Sequence, residues 1–79
     1  MNEQKLLETI LTEIVDNADN VTIIKTNDEQ GVLYTVEVKK EEAGKLIGKK
    51  GETANAIRLI LKATGYKYGV HASMKIIAV

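Results

Sequence analysis

The sequence predicts one α+β domain with the element order αββααβ. Three observations carry this. Two stretches repeat their apolar residues at the spacing of a helix face, two others alternate apolar and polar residues at the period of a strand, and a chain of 79 residues has room for one small core.

The first apolar stripe is Leu6, Leu7, Ile10, Leu11, Ile14 and Val15, one face of a helix. Glu3, Glu8, Glu13 and Asp16 fall mostly on its other faces, which makes it an acid-backed helix packed against a core. Asp16, Asn17, Asp19 and Asn20 end it, because their short polar side chains compete for backbone hydrogen bonds. Val21 to Thr26 is rich in β-branched residues and reads as a strand. Residues 27–31 form a polar turn, and Val32, Tyr34, Val36 and Val38 then alternate with Leu33, Thr35 and Glu37 as a half-buried strand, joined to the first as a hairpin. Glu41 to Ile47 reads as a short helix with acids in its first turn, interrupted by Gly48. After Gly51 a longer helix carries the stripe Thr53, Ala56, Ile57, Ile60, Leu61 and Thr64 and is expected to stop at Gly65, with Leu59 and Ala63 off the stripe. Gly65 to Gly69 is expected to be a loop and Val70 to Val79 a final strand.

Composition narrows the function classes. With 44% hydrophobic and 28% charged residues the chain is neither disordered nor membrane-spanning in character. Met1 to Lys5 are polar, with no leader pattern, so a cytoplasmic protein is expected. It has no cysteine and one histidine, which excludes disulfides, thiol catalysis and Cys/His zinc sites. The net charge of zero hides a division. Residues 1–37 carry two basic and eight acidic side chains, a net of −6, while residues 38–79 carry nine basic and three acidic, a net of +6. An anionic partner is therefore expected at the second half.

The segment with the most chemistry is Gly48-Lys49-Lys50-Gly51 between two helices. Its glycines permit a sharp turn and close approach of a phosphate chain, and two lysines beside a helix start supply charge that need not discriminate bases. By itself a Gly-x-x-Gly is equally a plain helix-to-helix turn with solvated lysines. The segment is no P-loop, whose spacing is absent. His71 has no second histidine or cysteine to work with and reads as a surface or edge-strand residue. Glu41 and Glu42, adjacent on a helix, point apart and read as a solvated helix start. No catalytic set, metal site or cofactor site emerges, and no enzyme is expected.

Leu46-Ile47-Gly48-Lys49-Lys50-Gly51, followed by Ala54 and lying between two helices of an αββααβ chain, resembles the KH signature. The order is similar to the type II form, and Ala43 to Leu61, with the short chain and the acidic first helix, resembles the small stand-alone bacterial KH proteins of the KhpA type. The resemblance implies a single KH domain over residues 1–79, a three-stranded sheet packed on one side by three helices. It implies a groove for about four nucleotides of single-stranded RNA, clamped at the turn. Carried onto this chain, the RNA-binding residues are Gly48, Lys49, Lys50 and Gly51, with Ile47 and Ala54 in the floor and Arg58 and Lys45 nearby. The final strand and the loop before it would form the opposite wall, with Tyr66, Lys67 and Tyr68 stacking on bases or holding phosphate, or else packing at an edge. Glu52 departs from the family pattern, in which that position is often basic, and suits the helix dipole instead.

The resemblance implies an RNA chaperone or post-transcriptional regulator that pairs with itself or with another KH-domain protein and has no membrane association. The rival expectation is a KH-scaffold assembly module with weak RNA binding, motivated by Glu52, zero net charge, and the off-stripe Leu59 and Ala63.

Overall fold

In the computed structural model, which describes residues 3–79, the chain runs α1 (Glu3–Ile14), β1 (Val21–Asp28), β2 (Gly31–Val38), α2 (Lys40–Ile47), α3 (Glu52–Lys67) and β3 (Ala72–Ala78). Single 3-10 turns occupy Ala18–Asn20 and Lys49–Gly51. This is the expected α+β class and order. Met1 and Asn2, on which the reading of a polar, leaderless start partly rests, lie outside the described residues. Among the described residues no helix is long and apolar enough to cross a membrane.

The sheet has the order β1-β2-β3, with β1 antiparallel to β2 and β3 parallel to it. Alternation along β2 sends Val32, Tyr34, Val36 and Val38 into the core, where they meet Leu7, Leu11 and Val15 from the first stripe, Leu46 of α2, Ile57 and Leu61 of α3, and Ala72 and Met74 of β3. Each large side chain buried there contributes about 1.5–3 kcal/mol of transfer free energy. The helices thus cover one face of the sheet, and Ser73, Lys75 and Ile77 of β3 look outward on the other.

Two acids expected at solvent are buried, because each satisfies polar groups that the packing also buries. Glu3 accepts a hydrogen bond from the Tyr34 hydroxyl at 3.0 Å. Burial, together with this carboxylate, raises the Tyr34 phenol well above its ordinary value, so it remains a donor. Glu42 is buried while its neighbour Glu41 is exposed. Its two oxygens accept from the Asp16 amide and, at 2.7 Å, from Asn20 Nδ2, which fastens the α1–β1 connection to α2. The Asn20 bond holds the Glu42 carboxyl below its usual range, with the Asp16 and Asn17 amides and Lys45 acting in the same direction and desolvation opposing.

Three boundaries differ from expectation. β1 runs on to Asp28, and the Asp28 carboxylate accepts from the Gln30 and Gly31 amides, so only Glu29 and Gln30 remain as the turn. α3 continues past Gly65 to Lys67. Gly65 does not cap the helix with a left-handed conformation. It is where the returning chain comes closest, and a Cβ there would stand 2.6 Å from the Val70 carbonyl oxygen. The positive φ falls instead at Gly69, and β3 begins only at Ala72. The core face of α3 is also rotated from the expected stripe. Ala54, Ile57, Leu61 and Gly65 are buried, whereas Ala56 and Ile60 join Leu59 and Ala63 on the solvent side, and Gly65 is where β3 comes closest, at Ala72.

Candidate nucleic-acid interface

Gly48 to Gly51 connect α2 to α3 with three positive φ values in four residues: Gly48 at 72°, Lys50 at 56° and Gly51 at 74°. Gly48, with ψ of −177°, lies in a region that is essentially glycine-only, and a Cβ there would meet Thr53 Oγ1 at 2.3 Å. The turn is thereby packed down onto the first turn of α3. Lys50 holds a left-handed conformation that costs a side-chain-bearing residue about 1–2 kcal/mol. Lys49 and Lys50 are both exposed. Gly51 offers no side-chain cap to the 16-residue α3, whose positive end lies beside the two lysines. The exposed Glu52 carboxylate is in the same first turn, and the Gly51 and Glu52 amides donate to the Gly48 and Lys49 carbonyls.

Beside the turn, α3 and β3 form a seam. α3 runs antiparallel to β3, with Gly65 against Ala72 and Arg58 against Met74, so the turn lies toward the C-terminal end of β3. Val32 is opposite Ala72 and donates to the His71 carbonyl. In a parallel ladder this assigns residues 71, 73, 75 and 77 to β2 and directs the amides and carbonyls of Ala72, Met74 and Ile76 to the free edge. Arg58 reaches that edge, its Nε donating to the Met74 oxygen at 3.0 Å and its Nη1 to Asn55 Oδ1 at 2.9 Å.

The structure gathers some expected site residues and disperses others. Ile47, 41% exposed, adjoins the turn, and Ala54 is buried beneath it in the core. Arg58 lies on the seam. Lys45 faces away: it pairs with Asp16 and sits 3.9 Å from Glu42, and the Asp16 contact chiefly raises its pKa. Tyr66, Lys67 and Tyr68 are not in a loop facing the turn. Tyr66 and Lys67 are in the last turn of α3, about 22 Å along the helix from Gly51. There they diverge. Tyr66 lines a cavity with Lys62, Gly69, Val70 and His71, whereas Lys67 and Tyr68 line another with Leu6, Ala63 and Thr64, Lys67 Nζ lying 5.6 Å from the Tyr68 ring centre.

Asn55, which orients Arg58, and Lys62, one helical turn beyond it, were not singled out from the sequence. The i, i+4 spacing of Arg58 and Lys62 was the available signal.

A family model described as "KhpA/KhpB, KH domain" matches residues 4–76. The chain is similar to the RNA-binding protein KhpA of Clostridium acetobutylicum, 38% identical over 74 residues covering 94% of this chain and 99% of the relative. It is similar to the RNA-binding protein KhpA of Aquifex aeolicus, 38% identical with 91% of each chain covered. It also matches the RNA-binding protein KhpA of Bacillus subtilis, 37% identical with 78% of this chain and 76% of the relative covered.

Proposed function

This chain belongs to the KhpA/KhpB KH-domain family, and on that premise we propose that it binds single-stranded RNA by gripping the backbone at the Gly48-Lys49-Lys50-Gly51 turn. It is a binding module, not a catalyst, and acts in the cytoplasm as a single domain. The observation that carries this is the convergence of two exposed lysines, a glycine-tight turn and an uncapped helix start on one spot. Phosphates are held there by charge and amides, while bases lie over Ile47 along the seam, where the outward amides and carbonyls of β3 offer donors and acceptors to base edges. That similar proteins are named RNA-binding agrees with this assignment. A chaperone or post-transcriptional role is the consequence we draw, since such contacts favour unpaired strands of many sequences. Fluorescence anisotropy with short single-stranded RNA at two salt concentrations tests it: the native chain binds, more weakly at high salt, and a folded Lys49→Asp/Lys50→Asp variant does not. Equal binding by both proteins refutes the turn as the clamp.

A second reading accompanies the first: the chain pairs with another copy or with another KH-domain protein through α3. It is supported by Ala56, Leu59, Ile60 and Ala63, which form a helical stripe on the solvent side with Leu59 68% and Ile60 43% exposed. The stripe lies away from the core face of α3 and from Arg58 on the seam, so pairing there leaves the Gly48–Gly51 turn open to RNA.

A further inference from the structure

Resting on the RNA-binding reading, we propose a second nucleotide subsite in the cavity between the end of α3 and the start of β3, where a base stacks on Tyr66 and its phosphate meets Lys62. The cavity is about 530 Å³, lined by Lys62, Tyr66, Gly69, Val70 and His71, within the roughly 300–1,000 Å³ of small-ligand sites. Its contents match a nucleotide. Tyr66 is 87% exposed, an aromatic face at solvent that no core packing accounts for. Lys62 supplies a cation, and Gly69, around which a Cβ would find only open space, leaves bare backbone in the wall. The carbonyls of Gly65 and Tyr66 at this helix end accept from the Tyr68, Gly69 and Val70 amides, so the last turn is closed and blunts its negative pole toward an anion.

Position argues for RNA over other anions. Arg58, Lys62 and Tyr66 stand at i, i+4 and i+8 on α3, a row that begins on the seam, where Arg58 bonds Met74, and turns toward solvent by the exposed Tyr66. The row leads from the Gly48–Gly51 turn to the cavity, about 22 Å along the helix. The cavity thus lies at the opposite end of α3 from the turn that clamps four nucleotides. The subsite therefore takes a base outside the clamped tetranucleotide, and stacking makes it tolerant of base identity.

The experiment compares four-nucleotide and eight-nucleotide mixed-sequence RNAs by anisotropy for the native chain, Tyr66→Ala, Lys62→Ser and Lys49→Asp/Lys50→Asp. The native chain is expected to bind the longer RNA more tightly. Tyr66→Ala loses about 5- to 150-fold for the longer RNA, the range for one stacked base, and keeps native affinity for the shorter one. Lys62→Ser weakens the longer RNA and lowers its salt dependence. If Tyr66→Ala matches the native chain on both RNAs while the double lysine variant fails on both, the subsite is wrong and the clamp stands. If the native chain binds neither RNA, both readings fall. If Tyr66→Ala changes the mass measured by light scattering and leaves RNA affinity intact, Tyr66 serves a protein contact and the subsite is overturned.

Discussion

Arg58 Nε donates to the main-chain oxygen of Met74 at 3.0 Å, tying the middle of α3 to the free edge of the sheet. The same guanidinium bonds Asn55 one turn earlier, so a single side chain sets the spacing of the seam. Arg58→Met retains the aliphatic stem and removes both bonds. It is expected to lower the urea unfolding free energy by about 1 kcal/mol, and Arg58→Lys to recover at most part of this, because an ammonium lacks the planar fork.

Lys50 separates stability from binding. At φ 56° it sits where glycine is at ease. Lys50→Gly is expected to leave stability unchanged or raise it by up to about 1 kcal/mol in thermal or urea unfolding, while weakening RNA binding through the lost charge. A variant both less stable and fully competent for RNA would contradict this.

Glycine positions differ in the same way. Gly48→Ala forces a Cβ into Thr53 at a positive φ and is expected to cost about 2–3 kcal/mol. Gly44→Ala, inside α2 with nothing within 4 Å of the added carbon, is expected to gain about 0.5–1 kcal/mol from helix propensity. Chemical denaturation of the two variants side by side distinguishes packing from propensity.

Glu42 confers an acid sensitivity. Its carboxyl titrates below the ordinary 4.5 in the folded chain, so its contribution is complete above that ordinary value and is lost as pH falls through the lower folded value. The stability difference between the native chain and Glu42→Gln, measured by urea unfolding, is therefore expected to shrink between pH 7 and pH 3. A constant difference would exclude the charged form as the stabilising one.

Tyr34→Phe leaves the buried Glu3 carboxylate without its phenol donor and is expected to cost about 1–3 kcal/mol. Adding Glu3→Leu should restore part of the loss, since an apolar pair avoids an unmatched buried charge. Failure of the double variant to recover would mean that the bond itself is the larger contribution.

On the solvent side of α3, Leu59→Asp places charge in the exposed stripe. If copies pair there, light scattering is expected to show a mass halved toward the monomer with circular dichroism unchanged. A native chain that is already monomeric at high concentration refutes pairing with itself.

Periodicity, with β-branched composition and turn residues, determined the α+β order, and periodicity alone the buried side of β2 and the Leu7–Leu11–Val15 stripe, because local backbone geometry dictates which side chains share a face. The Gly48–Gly51 turn was equally legible, its glycines and lysines being adjacent in the chain. Only the tertiary structure decided the rest, where the cause lay far along the sequence. Glu3 is buried because Tyr34, 31 residues away, needs an acceptor, and Glu42 because it meets Asp16 and Asn20. Gly65 continues its helix because Val70 and Ala72 return against it, which carried Tyr66 away from the turn and sent Lys67 and Tyr68 to a different side of α3. The core face of α3 was set by what it packs on: Ala54, Ile57, Leu61 and Gly65 turn inward and Ala56 and Ile60 outward, with Gly65 at the point where Val70 and Ala72 leave no room for a side chain.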